Sequence, residues 1–233
     1  KKYDCGDNCF LNLFGLSSDY PPYYSVESAA GIIIGNGNIG RYLTRDVATF
    51  MSRDGGFTWF EIAKGSHTYE IGNHGGLILL AKDQEPTNKI KYSWNEGLSW
   101  EDFTLCEDKF NIKNIIIEPS SRGHYFVIYG EKVKNGAKKG IVIGLNFGEV
   151  YPPCRNPNYP DSEDSDYETW RPRAGESNEC FLGHKVSIIR RKRDAKCINN
   201  ELMEQKIISS NCDCTEDDYQ CDIGYARNEP GAP

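Results

Sequence analysis

The chain has 233 residues, 38% of them hydrophobic, which is enough for one large domain or two ordinary ones with a real core. Its formal net charge is −7, from 27 basic and 34 acidic residues, so no overall positive field favours a nucleic acid as partner. No apolar run approaches the ~18 residues of a membrane-spanning helix, and no signal-like apolar region is present. The abrupt start at Lys1 suggests a mature or excised piece of a longer protein.

Residues 1–150 are predicted to form short β-strands. Apolar runs rich in Ile, Val, Tyr and Phe alternate there with turn sequences such as RDGG (53–56), and no twelve-residue segment has a helical period. This half is therefore expected to be all-β. The expected strands cover 31–35, 48–52, 58–62, 76–81, 90–94, 114–118, 125–130 and 140–145.

The apolar run at 31–40 contains a G-x-G-x-x-G sequence, Gly35, Gly37 and Gly40, and Asp54 follows 19 residues after the first glycine. A dinucleotide-binding turn needs a crossover helix after the third glycine. The next segment, RYLTRDVAT (41–49), is too short and too rich in β-branched residues to form one. The glycines are therefore interpreted as the end of a strand, and no cofactor is expected.

An eight-residue sequence occurs twice, 41 residues apart, as SRDGGFTW (52–59) and SWNEGLSW (93–100). Glycines that precede strands recur at a similar step, at 31, 76 and 123. A repeat of about 40–50 residues with about four short strands is typical of propeller blades. The equivalent residues of the two copies are Ser52 and Ser93, Asp54 and Asn95, Gly56 and Gly97, Thr58 and Ser99, and Trp59 and Trp100.

We interpret these two Asp boxes as structural turns. Asp54 is suited to accept the amides of its own turn, Gly56 to supply a positive φ, and Trp59 to anchor the next strand. A calcium loop or a catalytic carboxylate is disfavoured, because each copy has one acidic position and Asn95 replaces it in the second. No metal ligand and no catalytic residue is assigned.

The composition changes at Tyr151. Residues 151–180 carry five prolines and the acidic run DSEDSDYE (161–168), and are expected to be a linker or crosslinked loop rather than a packed strand. The acidic run lacks the ligand order of calcium loops, so a solvated loop is expected. The basic run RRKR (190–193) invites a heparin-binding or protease-site interpretation, but a solvated hairpin strand is expected instead.

Six of the nine cysteines lie within residues 154–221, a density that favours disulfides in an oxidising compartment. The spacing C-x-C-x6-C at 212–221 is not that of a zinc ribbon, so zinc is the weaker alternative. Because the count is odd, at least one cysteine lacks a partner within this chain.

The S-x-D-x-G-x-[ST]-W boxes, followed by CFLGHK (180–185), CDC (212–214) and CDIGY (221–225), resemble the Vps10 domain of the sortilin-type sorting receptors, and the linker resembles their fungal vacuolar-sorting branch. The resemblance covers essentially the whole chain. It implies the last three or so blades of a ten-bladed β-propeller, at about residues 28–150, after the tail of an earlier blade. The implied domains are blades at 1–150, a first Cys-rich module at 151–213 and the start of a second at 214–233.

The resemblance also implies a set of disulfides. Cys214 and Cys221 would pair beyond Pro233, although whether they pair with each other stays open, and Cys106 has no partner that can be named. The implied pairs are Cys5–Cys9, Cys154–Cys197 and Cys180–Cys212.

Receptors of this type bind propeptides and proteins in the lumen of the Golgi or endosomes and pass them to carriers bound for the vacuole or lysosome. The resemblance therefore implies a lumenal, non-enzymatic cargo receptor anchored elsewhere in the membrane. Its implied partners are protein or propeptide cargo and the remaining blades and second module of the same receptor. The ligand-binding residues stay unknown, because the family's peptide site lies on earlier blades. Four histidines, His67, His74, His124 and His184, are candidates to change charge between Golgi and endosome, which would suit ligand release. A pH-dependent dimer is a separate expectation.

Two other classes of function stay open. Asp boxes also accompany sialidases, whose arginine cluster would have to come from Arg41, Arg45, Arg53 and Arg122, although nothing in the sequence fixes these at one site. The Cys-rich tail is foreign to that class. The second alternative is a purely structural stalk or dimer contact.

Overall fold

The computed structural model describes residues 9–15, 17, 19–134, 136–172, 179–180, 182–202, 207–214, 218 and 221. The strands in these residues form four antiparallel sheets, and a short 3-10 turn lies at Asn73–Gly75. The first sheet has β1 (Phe10–Leu13), β2 (Ile33–Gly40), β3 (Ala48–Ser52) and β4 (Phe60–Lys64); the second has β5 (His67–Gly72), β6 (Leu77–Lys82), β7 (Lys89–Ser93) and β8 (Glu101–Thr104); the third has β9 (Asn111–Ile116), β10 (Tyr125–Lys134) and β11 (Ala137–Asn146); the fourth has β12 (Tyr167–Trp170), β13 (His184–Arg191) and β14 (Ile207–Asn211).

The first three sheets are successive propeller blades, and the predicted all-β fold is confirmed. In each blade every strand pairs with the next one along the chain. Each Asp box joins the third strand of its blade to the fourth, at β3–β4 and β7–β8. The repeat seen in the sequence is thus a repeat of one hairpin position.

The first blade begins earlier than expected. β1 pairs with β2, so this segment supplies a strand of the same blade and is not the tail of an earlier one. The close approach of β1 to β2 requires a glycine at position 37, because a Cβ on Gly37 would lie 2.0 Å from the Asn12 carbonyl oxygen. Gly35 and Gly37 lie inside β2 rather than at its end, and β2 pairs antiparallel with both of its neighbours, which excludes a dinucleotide-binding β-α-β unit here.

The core fills the two spaces between the three blades. β6 is buried on both faces, which explains its continuous apolar run: Leu77 and Leu79 face one cluster, and Ile78 and Leu80 the other. The cluster between blades one and two also contains Ile34 and Met51 among others, and the cluster between blades two and three contains Ile112, Ile115, Phe126, Ile128 and Phe147.

A hydrogen-bonded network joins the first two blades. The Asn36 side chain donates to the His67 carbonyl (2.9 Å) and accepts from the His67 amide (3.2 Å), and the Thr49 hydroxyl lies 2.9 Å from His67 Nδ1. These groups are buried, and each is paired, as buried polar groups must be.

We call residues 151–213 the disulfide module; its sheet is β12–β13–β14. The expectation of a linker without packed strands over 151–180 is wrong at its centre, because β12 lies there and Tyr167 is only 1% exposed. The acidic run is exposed as a loop only at 161–164, after which the chain enters β12. Alternation turns Tyr167 inward, while the loop acids before it stay in water.

Candidate interaction site at the junction of blades and module

The first Asp box is a self-contained hydrogen-bonded turn. Ser52 Oγ donates to Asp54 Oδ1 (2.8 Å) and accepts the Gly56 amide (2.8 Å), while Asp54 Oδ1 also accepts the Thr58 amide (2.9 Å). Gly56 has φ +99°, and the Trp59 indole donates to the Gly56 carbonyl at 2.9 Å. Burial alone would raise the pKa of Asp54, but the hydrogen bonds from Thr58 and Ser52 outweigh it and lower that pKa. The carboxylate is thus committed to the turn.

The second box repeats the serine and main-chain amide bonds of the first, with an amide in place of the carboxylate. Asn95 Oδ1 accepts from the Ser93 hydroxyl (3.0 Å) and the Ser99 amide (2.9 Å), and Ser93 Oγ accepts the Gly97 amide (2.9 Å). Its Nδ2 donates to Ser99 Oγ at 2.9 Å. Since the neutral side chain serves equally well, the position needs a hydrogen-bond acceptor and not a charge.

The glycines that precede the second strand of each blade face the disulfide module. A Cβ on Gly31 would lie 2.8 Å from Trp170, and one on Gly76 would lie 2.9 Å from Arg191 Nη1. Gly123 in the third blade lies near Glu201, 3.6 Å from Oε1 to a Cβ placed there. The missing side chains of the first two therefore make room for the module.

Arg191 is a deeply buried contact between module and blades. It is 4% exposed, and its guanidinium donates to the carbonyls of Cys197 (2.6 Å), Gly76 (3.3 Å) and Trp94. Burial lowers its pKa, with the more distant charge of Glu96 acting in the opposite direction. One guanidinium thereby links the module to the second blade through main-chain acceptors, a geometry that suits the planar fork of arginine.

The neighbouring basic residues extend this contact to both Asp boxes. Arg193 donates to the carbonyls of Asn95 (3.1 Å) and Glu96 (2.9 Å), and Arg190 donates to the carbonyl of Arg53 at 3.4 Å. Arg190 also pairs with Glu168 at 2.9 Å. The prediction that 190–193 is a solvated strand is therefore wrong: these residues continue and follow β13, but Arg190 and Arg191 are buried against the blades.

An ion pair connects the two boxes beneath these arginines. Arg53 Nε donates to Glu96 Oε2 at 2.7 Å, and the Glu96 side chain is 7% exposed. The Asp box of the first blade and the Asp box of the second blade are in this way held together at the surface where the module docks.

Two asparagines form the other part of the junction. Asn73 Nδ2 donates to the Asn199 carbonyl (3.0 Å), the Asn199 amide donates to Asn73 Oδ1 (2.9 Å), and Asn199 Nδ2 donates to the Asn73 carbonyl (2.8 Å). Both residues are buried. Asn73 has φ +49°, a conformation that asparagine tolerates better than most residues.

Disulfides fix the module on either side of this contact. The structure contains Cys154–Cys197 and Cys180–Cys212, the two pairs implied for the module. Cys5 lies outside the described residues, so Cys5–Cys9 stays a prediction. Three cysteines form no disulfide in the described part of the chain: Cys106, Cys214 and Cys221.

The four histidines do not form a cluster. His67 is buried between blades one and two, and burial lowers its pKa; burial also lowers the pKa of His74, which lies at the junction beside Asn73. His124 Nδ1 lies 2.8 Å from Glu201 of the module, whereas His184 is exposed on β13. Two of the four, His74 and His124, therefore lie near residues 199–201.

The arginines considered for a sialidase site have separate partners. Arg45 pairs with Asp19 at 3.7 Å, Arg53 with Glu96, and Arg41 lies over the Tyr42 ring at 5.4 Å from its centroid. Arg122 belongs to the 118–123 turn, where its amide donates to Glu118. No common site emerges from the described residues.

The fold and the junction define a class of protein in which propeller blades carry a docked disulfide module, and comparison with known proteins identifies the family. A family model described as sortilin, neurotensin receptor 3, matches residues 1–115, and its C-terminal counterpart matches residues 117–232. The chain belongs to the sortilin/Vps10 family of sorting receptors.

Named relatives share about a third of the sequence. The vacuolar protein sorting/targeting protein 10 of Kluyveromyces lactis is 34% identical over 99% of this chain, and that of Mycosarcoma maydis is 34% identical over 98%. The rabbit (Oryctolagus cuniculus) sortilin-related receptor is 34% identical over 89%. The chain spans only 15%, 16% and 9% of these relatives, respectively. Among the described residues, no helix has the length and apolar character to cross a membrane.

Proposed function

We propose that this chain is part of a lumenal receptor that binds protein or propeptide cargo in the Golgi and endosomes and delivers it to the vacuole or lysosome. Its relatives are named for vacuolar sorting or as sortilin-related receptors, which supports the receptor class. The contact that carries the proposal is the junction of Arg191 and Asn199 with the blades, because it fixes the module on the propeller as one surface for a large partner.

We place the boundary between blades and module at residue 150, just after the last blade strand ends at Asn146. Residues 214–233 are proposed to open a second Cys-rich module. The rest of the propeller and of that module are proposed partners within the same receptor. A pH-dependent dimer is a further proposal, and sedimentation equilibrium at neutral and acidic pH tests it.

The experiment is a sorting assay in cells that depend on this receptor. Deleting its gene is expected to send a vacuolar hydrolase into the medium, and a receptor with Arg191→Met is expected to reproduce part of that loss. Arg155→Gln is the control, because Arg155 is an exposed module residue paired with Asp166. Full retention of the hydrolase in the deletion strain would refute the proposal.

We propose further that the protein is not an enzyme. The sialidase alternative predicts cleavage of a fluorogenic sialoside by the purified receptor. We expect no cleavage, because Arg41, Arg45 and Arg53 each have a separate partner. Activity that disappears in Arg53→Gln but persists in Arg41→Gln would favour the enzyme.

A further inference from the structure

An arginine-lined pocket of about 520 Å³ lies where the first Asp box meets the module sheet. Arg53 comes from the box, Arg190 from β13, and Arg193 from the turn after it, while Arg171 follows β12 directly. Trp170 forms one wall and lies under the Arg190 guanidinium, 4.3 Å from ring centroid to Cζ.

The charges of this pocket are unbalanced. Among the described residues its lining holds four arginines and one carboxylate, Glu168, and Glu96 beneath it adds a second, so the local balance of these residues is about +2 in a chain whose net charge is −7. Burial lowers the pKa of Arg190 and of Arg193, and the nearby charge of Arg53 acts in the same direction on both. A bound anion would relieve this repulsion between like charges.

Donors remain available there. Arg171 is exposed, and its guanidinium has no acceptor among the described residues. Arg190 uses Nε and Nη1 for Glu168 and the Arg53 carbonyl, which leaves Nη2 without an acceptor in the same part of the chain. Two guanidinium groups can thus meet one carboxylate by charge-assisted hydrogen bonds.

A second, apolar depression of about 740 Å³ continues from the pocket and shares Trp170 and Arg171 with it. One side is the outer face of the module sheet, with Ile188 and Ile207, and the other is the first Asp box, where Phe57 is 60% exposed. Among the described residues, this groove is lined by three carboxylates, those of Glu27, Asp54 and Glu179, against Lys185 and the shared Arg171, so its excess of negative charge disfavours a second acidic group within it. An acidic group is therefore favoured only at the arginine end.

We propose that this composite site binds an extended segment of a protein ligand, with a carboxylate on Arg171 and Arg190 and adjoining apolar side chains in the groove beside Trp170. The complementarity of the arginine pocket for an anion selects this occupant. The inference deepens the proposed function, on which it rests, by giving the cargo segment a chemistry and a place on these blades.

The test uses the receptor's purified lumenal region and a displayed library of random ten-residue peptides. Selection is expected to enrich an acidic residue next to two or more apolar ones. The enriched peptide, fluorescein-labelled, is then titrated against Arg171→Gln, with Arg41→Gln as the matched control, an exposed arginine of the first blade outside the pocket. Loss of one charge-assisted contact is expected to weaken binding on the order of tenfold, with no change in the control.

Arg171→Lys is expected to bind with intermediate affinity, because it keeps the charge and loses the fork. A Glu→Gln peptide is expected to lose at least as much affinity as Arg171→Gln, because it removes the charge that both Arg171 and Arg190 contact. Enrichment of peptides without an acidic residue would overturn the inference, and so would equal effects of Arg171→Gln and Arg41→Gln. Displacement of the peptide by sulfate alone would also overturn it, because the apolar side chains would then contribute nothing to binding. A sulfated glycan that binds the receptor with the same affinity as the enriched peptide would overturn it as well.

The outcome for the receptor class is read separately, from capture of a vacuolar hydrolase propeptide by the same preparation. Normal capture, with no enriched peptide that depends on Arg171, refutes this site and leaves the proposed function in place. Failure to capture the propeptide, together with failure of the library, refutes both.

Discussion

Replacing Arg191 by methionine removes the guanidinium that joins the disulfide module to the second blade. Three carbonyls, those of Gly76, Trp94 and Cys197, then lose their donor inside the protein. A buried polar group left unpaired destabilises by about 1–3 kcal/mol, so three of them give about 3–9 kcal/mol.

Part of this loss is offset because methionine also removes a buried charge. Desolvating an ion destabilises a protein by several kcal/mol, and in the described part of the chain no carboxylate contacts this guanidinium directly. The expected net loss is about 3 kcal/mol in the free energy of unfolding. Arg191→Lys is expected to lose about half as much, since an ammonium group keeps the charge but cannot reach all three carbonyls at once.

The measurement is urea unfolding combined with hydrogen exchange at the Asn199 amide, which donates to Asn73 Oδ1 across the junction. Exchange there should accelerate in Arg191→Met, because the module opens from the blade more often. Arg155→Gln, which breaks an exposed ion pair, should stay within about 0.5 kcal/mol of wild type. If Arg191→Met also stayed within that range with unchanged exchange, Arg191 would not carry the docking.

Three further predictions concern the blades. Asp54→Asn should change stability by less than about 1 kcal/mol in urea unfolding at pH 7, because Asn95 makes the equivalent bonds, whereas Asp54→Ala should lose about 2 kcal/mol. Gly37→Ala should destabilise strongly and Gly140→Ala hardly at all, as seen in thermal unfolding, because a Cβ clashes only at the first position. His74→Gln should lose less stability than the wild-type protein when the pH falls from 7 to 5. Burial lowers the pKa of His74 in the folded state, so protonation opposes folding once the pH falls below the pKa of this histidine in the unfolded chain.

Each of these has an outcome that contradicts it. A large loss at neutral pH for Asp54→Asn would mean that the turn needs a charge. Equal melting temperatures for the two glycine variants would mean that β1 does not pair with β2 in solution. An unchanged pH profile for His74→Gln, compared with His184→Gln at an exposed position, would remove that histidine from acid sensitivity.

The strands with regular alternation or a continuous apolar run could be predicted from the sequence, and β6 is an example of the second kind. β5 could not, because His67, Thr68 and Glu70 give it a polar appearance although all three are buried. Their partners, such as Asn36 and Asn114, lie 31 and 46 residues away. Burial of a polar residue depends on what another blade offers, and no local pattern carries that information.

The junction cannot be predicted from the sequence for a similar reason. A run of four basic residues normally indicates a solvated surface, but the acceptors of Arg191 are main-chain carbonyls 115 and 97 residues away. Main-chain groups leave no trace in composition. The usable signals were the Gly31 and Gly76 repeat and the apolar alternation of the strand that leads into Arg190, which together indicate a packed face.

The Cys154–Cys197 disulfide bridges 43 positions of sequence, and this arrangement determines how a mechanical load would pass through the molecule. A pull on the chain beyond Cys212 reaches Cys197 and crosses the covalent bridge to Cys154, a few residues from the end of the last blade. The Cys180–Cys212 disulfide gives the tension a second path, into the segment between β12 and β13, so only β12, between Cys154 and Cys180, is bypassed. Arg190 and Arg191 lie on β13, between Cys180 and Cys197, and their hydrogen bonds to the blades would carry part of the load.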